Sequence, residues 1–417
     1  MSRAHVADLS GARAPSAGRP ARVGLAVAVA ASAVLAGTLA VRGLSWVNLD
    51  SLLAEPGEFY ALLVAPALLA MAGLVIALPR IVAVNVAVFV ALIVCGELAA
   101  RSLGSGAPAL TGEPEAIGAP AFYVPDPELG YALVPSTAAR HRRMEGDRVA
   151  YEVTYRTDAR GRRETPVVHD GPHEAFLAFF GDSNTFGEGL AQDETLPSQA
   201  GALAPGYRSY NYGVPGYGPA QLLTLAAKRR FADEIAEPEG YAVYLLIPAH
   251  VARVVGAMPV STGWGRHFPY YVLGPGGELQ SHSDFVHARA FTTLGYYFWS
   301  RSSLAARLGA ELPLRYTAYD YRLTAKILAE SSRMLARQLH VRRFVVVLGQ
   351  VFNDPQRGII DAMRDALAAE GIATLDYTRL FDANDRRYRV SELDYHNSAE
   401  TNRVLAARLV SDLGITR

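Results

Sequence analysis

Three short blocks of the chain carry the residue types that acyl chemistry needs. The apolar run AFLAFF passes directly into GDSNTFGEG, so Ser183 falls at the carboxyl end of an expected buried strand, just before a glycine-bearing turn. A hydroxyl there is presented at the edge of a sheet, where backbone N–H groups can meet an oxyanion. Taken alone, Gly181-Asp182-Ser183 also reads as an ordinary turn. The second block, NYGVPGYGPAQ, supplies Gly213, Gly216 and Gly218, which allow close backbone approach and positive φ; its plainer reading is a Gly-Pro turn before a helix. The third, SELDYHNSAETN, offers His396 to take a serine proton and Asp394 to orient the imidazole. The same stretch also reads as a helix start, with Asn397 or Ser398 as its cap.

In this order the three blocks resemble those of the SGNH (GDSL-like) hydrolases, over roughly residues 125 to 415. The resemblance implies an α/β fold with a flavodoxin-like, doubly wound parallel sheet. It implies Ser183 as nucleophile, His396 as general base and Asp394 as the acid holding the imidazole tautomer. The oxyanion hole would be formed by the N–H groups of Ser183 and Gly216. Two departures stand out. The family's acid usually lies three residues before the histidine, whereas Leu393 occupies that place here and Asp394 lies two before. Where the family carries Gly-x-Asn-Asp after the third strand, this chain has LLIPAHVAR, without asparagine. His250 is the candidate replacement donor, since losing one such donor costs about a hundredfold to a thousandfold in rate. The plainer reading of His250 and Arg253 is a polar strand end capping the next helix. YRTDARGRRE also resembles the run before the catalytic strand in anchored members, with Asp158 where an Asn is common and a structural role implied.

These residues need a scaffold, and the pattern after residue 173 provides one. Short apolar strands are expected at Ala175 to Phe180, Arg208 to Asn211, Ala242 to Ile247, Arg343 to Leu348 and Ala373 to Asp376. Between them, apolar positions three and four apart predict helices at Pro219 to Phe231, Ala318 to His340, Gln356 to Ala369 and Ser398 to Leu413. Strand and helix alternating give a parallel sheet covered on both faces. Residues 256–314, rich in aromatics and glycine, fit neither period and are expected to form an insertion or lid within the 173–417 hydrolase domain. Upstream, 126–172 reads as a small β-rich lead-in, with Val149, Tyr151, Val153 and Tyr155 alternating as in a half-buried strand.

The first hundred residues differ in kind. Residues 1–22 read as a disordered cytoplasmic tail rich in Arg, Ala, Gly, Ser and Pro. Three apolar runs follow within 23–100: VGLAVAVAASAVLAGTLAV, Phe59 to Leu78, and Ile81 to Ala99. The expectation is three transmembrane helices and a multi-pass anchor, a cleaved leader being the alternative for the first run. The basic tail then places the catalytic domain outside the cytoplasm. Residues 101–125 read as a linker.

Composition narrows the remaining classes. Lys plus Arg equals Asp plus Glu at 40 each, so no net positive charge exists to neutralise a polyanion, and nucleic acid is not an expected partner. The single cysteine, Cys95, builds neither a disulfide framework nor a thiolate cluster. His282 and His287 lack any established metal-site spacing, and no phosphate loop or dinucleotide fingerprint is present, so no metal or cofactor is expected. The expected activity is hydrolysis of an ester-bearing small molecule or acylated glycan, the resemblance implying O-acyl groups of envelope carbohydrate or lipid. The lipid bilayer would be the second partner. An O-acyltransferase with the same triad is one alternative; a catalytically weak glycan-binding or assembly module is the other.

Overall fold

The computed structural model describes residues 19–43, 65–77, 80–103, 115–116, 121–167 and 171–415. They fall into two units, one holding the N-terminal helices together with Ser302–Arg307, the other holding the rest.

The first unit contains α1 (Arg19–Gly43), α2 (Ala65–Ala77) and α3 (Arg80–Ser102). Among the described residues only α3 is long and apolar enough to cross a membrane; the apolar stretches Ala21–Val34 and Ala65–Leu74 are shorter. At about 1.5 Å per residue those two reach about 20 and 15 Å, short of the roughly 30 Å of bilayer hydrocarbon. The expected multi-pass anchor is therefore corrected to one qualifying helix, and the outward placement of the catalytic domain, which depended on counting three crossings, loses its basis. Of the expected tail, residues 1–18 lie outside the described residues, and Arg19 to Arg22 belong to α1. Most of the expected 101–125 linker also lies outside them. Within this unit the Glu97 carboxylate of α3 accepts from the N–H groups of Ser303 and Leu304 at 2.8 and 3.1 Å, capping the short helix 303–307.

The second unit opens with short antiparallel pieces. β1 (Glu115–Ala116) pairs with β4 (Ala138–Glu145), β2 (Tyr123–Asp126) with β3 (Gly130–Leu133), and β4 with β5 (Arg148–Arg156). On β5 Tyr151 and Tyr155 are buried and Val149 is exposed.

The main sheet then forms from five parallel strands: β6 (Ala175–Phe180), β7 (Tyr207–Asn211), β8 (Gly240–Leu246), β11 (Val341–Leu348) and β12 (Ala373–Asp376). An antiparallel pair, β9 (Pro269–Leu273) and β10 (Leu279–Asp284), precedes β11 in the chain. The spatial order is β12-β11-β8-β6-β7. Numbered by chain position within the sheet, this is the 2-1-3-4-5 order of a flavodoxin-like, doubly wound fold. Every residue of β6 is buried, as a strand covered on both faces must be.

Alternation along the strands divides the core. Phe176, Ala178 and Phe180 of β6 join Tyr244, Val346 and residues of α6 (Pro219–Lys228), α8 (Ala318–Gln338) and α9 (Asp354–Ala369). Leu177 and Phe179 join Val243, Val345 and residues of α5 (Leu196–Leu203) and α10 (Ala399–Asp412) on the other face. The short helix α4 (Ser183–Phe186) follows β6, and α7 (Ala249–Val255) follows β8. The 256–314 segment is more ordered than its mixed composition implies: besides β9 and β10 it contains helices at 258–261, 285–288, 290–300 and 303–307. Apart from the 290–300 helix, elements this short do not span enough turns to show a period.

Candidate active site

Strand order reverses between β6 and β8, and ligands of open α/β sheets bind at the carboxyl ends of the strands flanking such a point. Ser183 lies there. β6 ends at Phe180, Gly181 turns the chain at φ +148°, and Asp182 caps α4 by accepting from the Asn184 N–H at 3.0 Å. Any side chain on Gly181 would press on Thr185 Oγ1, within 2.4 Å.

The last loop brings the second component. His396 Nε2 lies 2.8 Å from Ser183 Oγ, and His396 Nδ1 lies 2.5 Å from Asp394 Oδ1. The same carboxylate oxygen accepts from the His396 backbone N–H at 3.1 Å. An Asx-type turn of this kind explains why a two-residue spacing suffices to orient the ring. Asp394 is buried, and its carboxyl is held below the usual range: burial opposes the charge, but His396 more than offsets it. Two contacts fix the loop. Asn397 N–H donates to Asn184 Oδ1 at 3.1 Å, and Leu393 N–H donates to the Glu145 carboxylate of β4 at 2.8 Å. Glu145 also accepts from Ser391 Oγ.

Glu188, which the motif reading passed over, stands beside the same histidine. Its Oε2 is 3.6 Å from His396 Nε2, and its Oε1 accepts from Tyr151 OH at 3.3 Å. Burial disfavours the imidazolium, but Glu188 and then Asp394, with Asp182 behind, outweigh it and hold the His396 pKa up at about 9. The signal for Glu188 was its place on the same turn as Ser183; its partner is remote in sequence.

Gly216 adopts φ +84°, and a Cβ there would sit 2.3 Å from Tyr131 Oη and 2.9 Å from the Trp264 ring. It lines, with Ser183, His396 and Glu188, a cavity of about 640 Å³. Neither the Ser183 N–H nor the Gly216 N–H has a hydrogen-bond partner among the described residues.

The structure places His250 elsewhere. Its ring is fully buried, with Nδ1 3.2 Å from Tyr244 Oη and Nε2 3.4 Å from Asp182 Oδ2, and it does not line the cavity. Burial holds its pKa below the ordinary value even against the Asp182 charge. One turn along α7, Arg253 lines the cavity instead; its guanidinium donates to Asp182 Oδ2 and to the Tyr217 carbonyl, both at 2.7 Å. Although Asp182 is completely buried, Arg253 and His250 keep its carboxyl well below the usual range. Removing one partner of such a pair leaves a buried charge uncompensated, at a cost of about 3–5 kcal/mol.

No family profile and no curated protein matches the chain. Solved structures do. The chain is similar to a member of the lipolytic protein G-D-S-L family from Veillonella parvula, at 12% identity over 57% of this chain and 97% of that one, TM-score 0.33. It is similar to Est24, a carbohydrate acetylesterase from Sinorhizobium meliloti, at 10% identity over 58% and 98% of the two chains, TM-score 0.32. It is also similar to Est2A, an acetyl xylan esterase from Butyrivibrio proteoclasticus, at 12% identity over 62% and 68%, TM-score 0.32. With TM-scores this low, none of these likenesses fixes the family or the substrate.

Proposed function

We propose that the chain is a serine ester hydrolase working through an acyl-enzyme. The observation that carries this reading is the continuous line from Ser183 Oγ through both nitrogens of His396 to the Asp394 carboxylate, at 2.8 and 2.5 Å. Ser183 Oγ attacks the ester carbonyl while His396 Nε2 takes its proton, and Asp394 stabilises the imidazolium. The tetrahedral oxyanion is met by the N–H groups of Ser183 and Gly216, with the Arg253 guanidinium on the same cavity wall in place of an asparagine amide. Collapse releases the alcohol, which takes the proton from His396. Water, activated by the same imidazole, then frees the acid. An O-acyltransferase differs only in admitting a hydroxyl in place of that water.

Tyr123, Tyr131 and Trp264 line the cavity, an aromatic surface suited to the faces of sugar rings. The substrate in this reading is an O-acylated carbohydrate, and α3 attaches the chain to a lipid bilayer.

The test is labelling of the full-length protein in detergent with a serine-reactive fluorophosphonate. Labelling of the wild type that disappears in Ser183→Ala and falls strongly in His396→Ala is expected. A folded wild type that takes no label would overturn the esterase reading in favour of a glycan-binding module.

A further inference from the structure

A second group of side chains, in the 256–314 insertion, has no part in the chemistry above. His267 Nδ1 lies 2.8 Å from Asp284 Oδ2, and His287 Nδ1 lies 2.6 Å from Asp284 Oδ1. One ligand atom from each of the three falls within 4.8 Å of the others, and the two imidazole centroids are 6.0 Å apart. Three separate elements supply them: the turn before β9, the end of β10, and the helix 285–288 that Asp284 caps.

Capping accounts for only part of this. The cap needs one carboxylate oxygen, which accepts from the His287 N–H at 2.8 Å. It requires no imidazole, yet two converge on a carboxylate only 8% exposed. We propose that His267, Asp284 and His287 form a zinc-binding site with an open coordination position.

Two imidazoles and one carboxylate are the donors zinc takes in open sites; magnesium and calcium prefer all-oxygen shells. Zinc–nitrogen bonds of about 2.0–2.1 Å in a tetrahedron separate donor atoms by roughly 3.3 Å. The histidine–carboxylate separations of 2.8 and 2.6 Å therefore have to lengthen by about 0.5–0.7 Å, and any donor pair near the 4.8 Å limit has to close. Both histidine side chains are about a third exposed, which leaves them room to move. Entry paths exist on two sides. Asp284 and His287 line a second cavity of about 1040 Å³, whereas His267 lines the cavity that contains Ser183. A bound ion would tie β10 and its helix to the turn that carries Trp264 and Phe268, bracing one wall of the Ser183 cavity.

Sequence spacing hides the site, because His267 is far along the chain from the other two and only folding of the β9–β10 pair joins them. The proposal is independent of the esterase reading, since its readout is metal binding. The experiment is calorimetric titration of the tag-free, chelator-stripped full-length protein in detergent with Zn²⁺, repeated with Co²⁺ to read the visible absorption of tetrahedral cobalt. One ion per chain is expected, with affinity lowered at least about tenfold in Asp284→Asn and His267→Gln. Asp284→Asn keeps an N-cap acceptor, and thermal unfolding shows whether it folds; His267 lies outside the capped helix and decides the matter if Asp284→Asn does not fold. Binding well below one ion per chain, or equal affinity in a folded variant, would overturn the site.

Discussion

At the residue scale the decisive feature is the electrostatics around His396. Its Nε2 faces both the Ser183 hydroxyl and the Glu188 carboxylate, so the nitrogen that accepts a proton in the esterase reading sits in a field that favours keeping one. With a pKa held up at about 9, most of the imidazole is protonated at pH 7, and only its neutral form acts as a base. In the esterase reading kcat/KM for a neutral ester such as 4-nitrophenyl acetate therefore rises with pH, with an inflection near 9. Glu188→Gln removes the first of the raising influences, so its inflection moves to lower pH and a larger share of its plateau activity is reached at pH 7. An inflection that stays in place would remove Glu188 from this role. The sign for stability is opposite: a histidine whose folded pKa lies above its ordinary value stabilises the fold at low pH, and that contribution is lost as pH rises through 9. Ser183, Asp394 and His396, whose side chains the structure brings together, could be picked out as candidates because each lies in a short motif. Glu188, Glu145 and Arg253 acquire meaning only through partners remote in the chain, and the placement of His250 depends on which side of the sheet α7 packs against.

At the scale of elements, the five strands were legible because a fully buried parallel strand is a short apolar run between turn residues, and AFLAFF and the valines of β11 leave little choice. The start of β8 was missed. Gly240 reads as a turn residue, yet it pairs beside Phe176, whose carbonyl oxygen would lie 2.1 Å from any Cβ added there. That oxygen belongs to the backbone of the neighbouring strand and cannot swing aside. Gly240→Ala is therefore expected to force β8 away from β6 and lower stability by about 1–3 kcal/mol, as overpacked cores do. Chemical denaturation of wild type and variant checks it: a lower midpoint at unchanged slope is the expected result, and an unchanged midpoint would show that the strands part at no cost. The insertion remained illegible for the opposite reason. Most of its helices and strands are too short for a period, and its β9–β10 end is held by contacts such as Asp284 with His267.

At the scale of the whole molecule, α3 combines length with exposed apolar surface: Ile81, Phe89 and Leu92 are 75, 64 and 66% exposed. A continuous surface of that kind in water drives association, whereas in a bilayer it is solvated. Counting apolar runs in the sequence suggested three spans; among the described residues the apolar helical stretches of α1 and α2, Ala21–Val34 and Ala65–Leu74, are shorter than the span they would need. The chain's single cysteine makes the remaining helix testable. Cys95 lies on α3, exposed, about 10 Å along the axis from the Ser102 end of a helix about 35 Å long. If α3 spans lipid, the thiol sits inside the hydrocarbon, which a charged maleimide does not reach. The full-length protein reconstituted into vesicles is then expected to resist a membrane-impermeant maleimide and to react fully after the vesicles are dissolved in denaturing detergent. Rapid labelling in intact vesicles would place α3 in water and require some other surface to cover its apolar side chains.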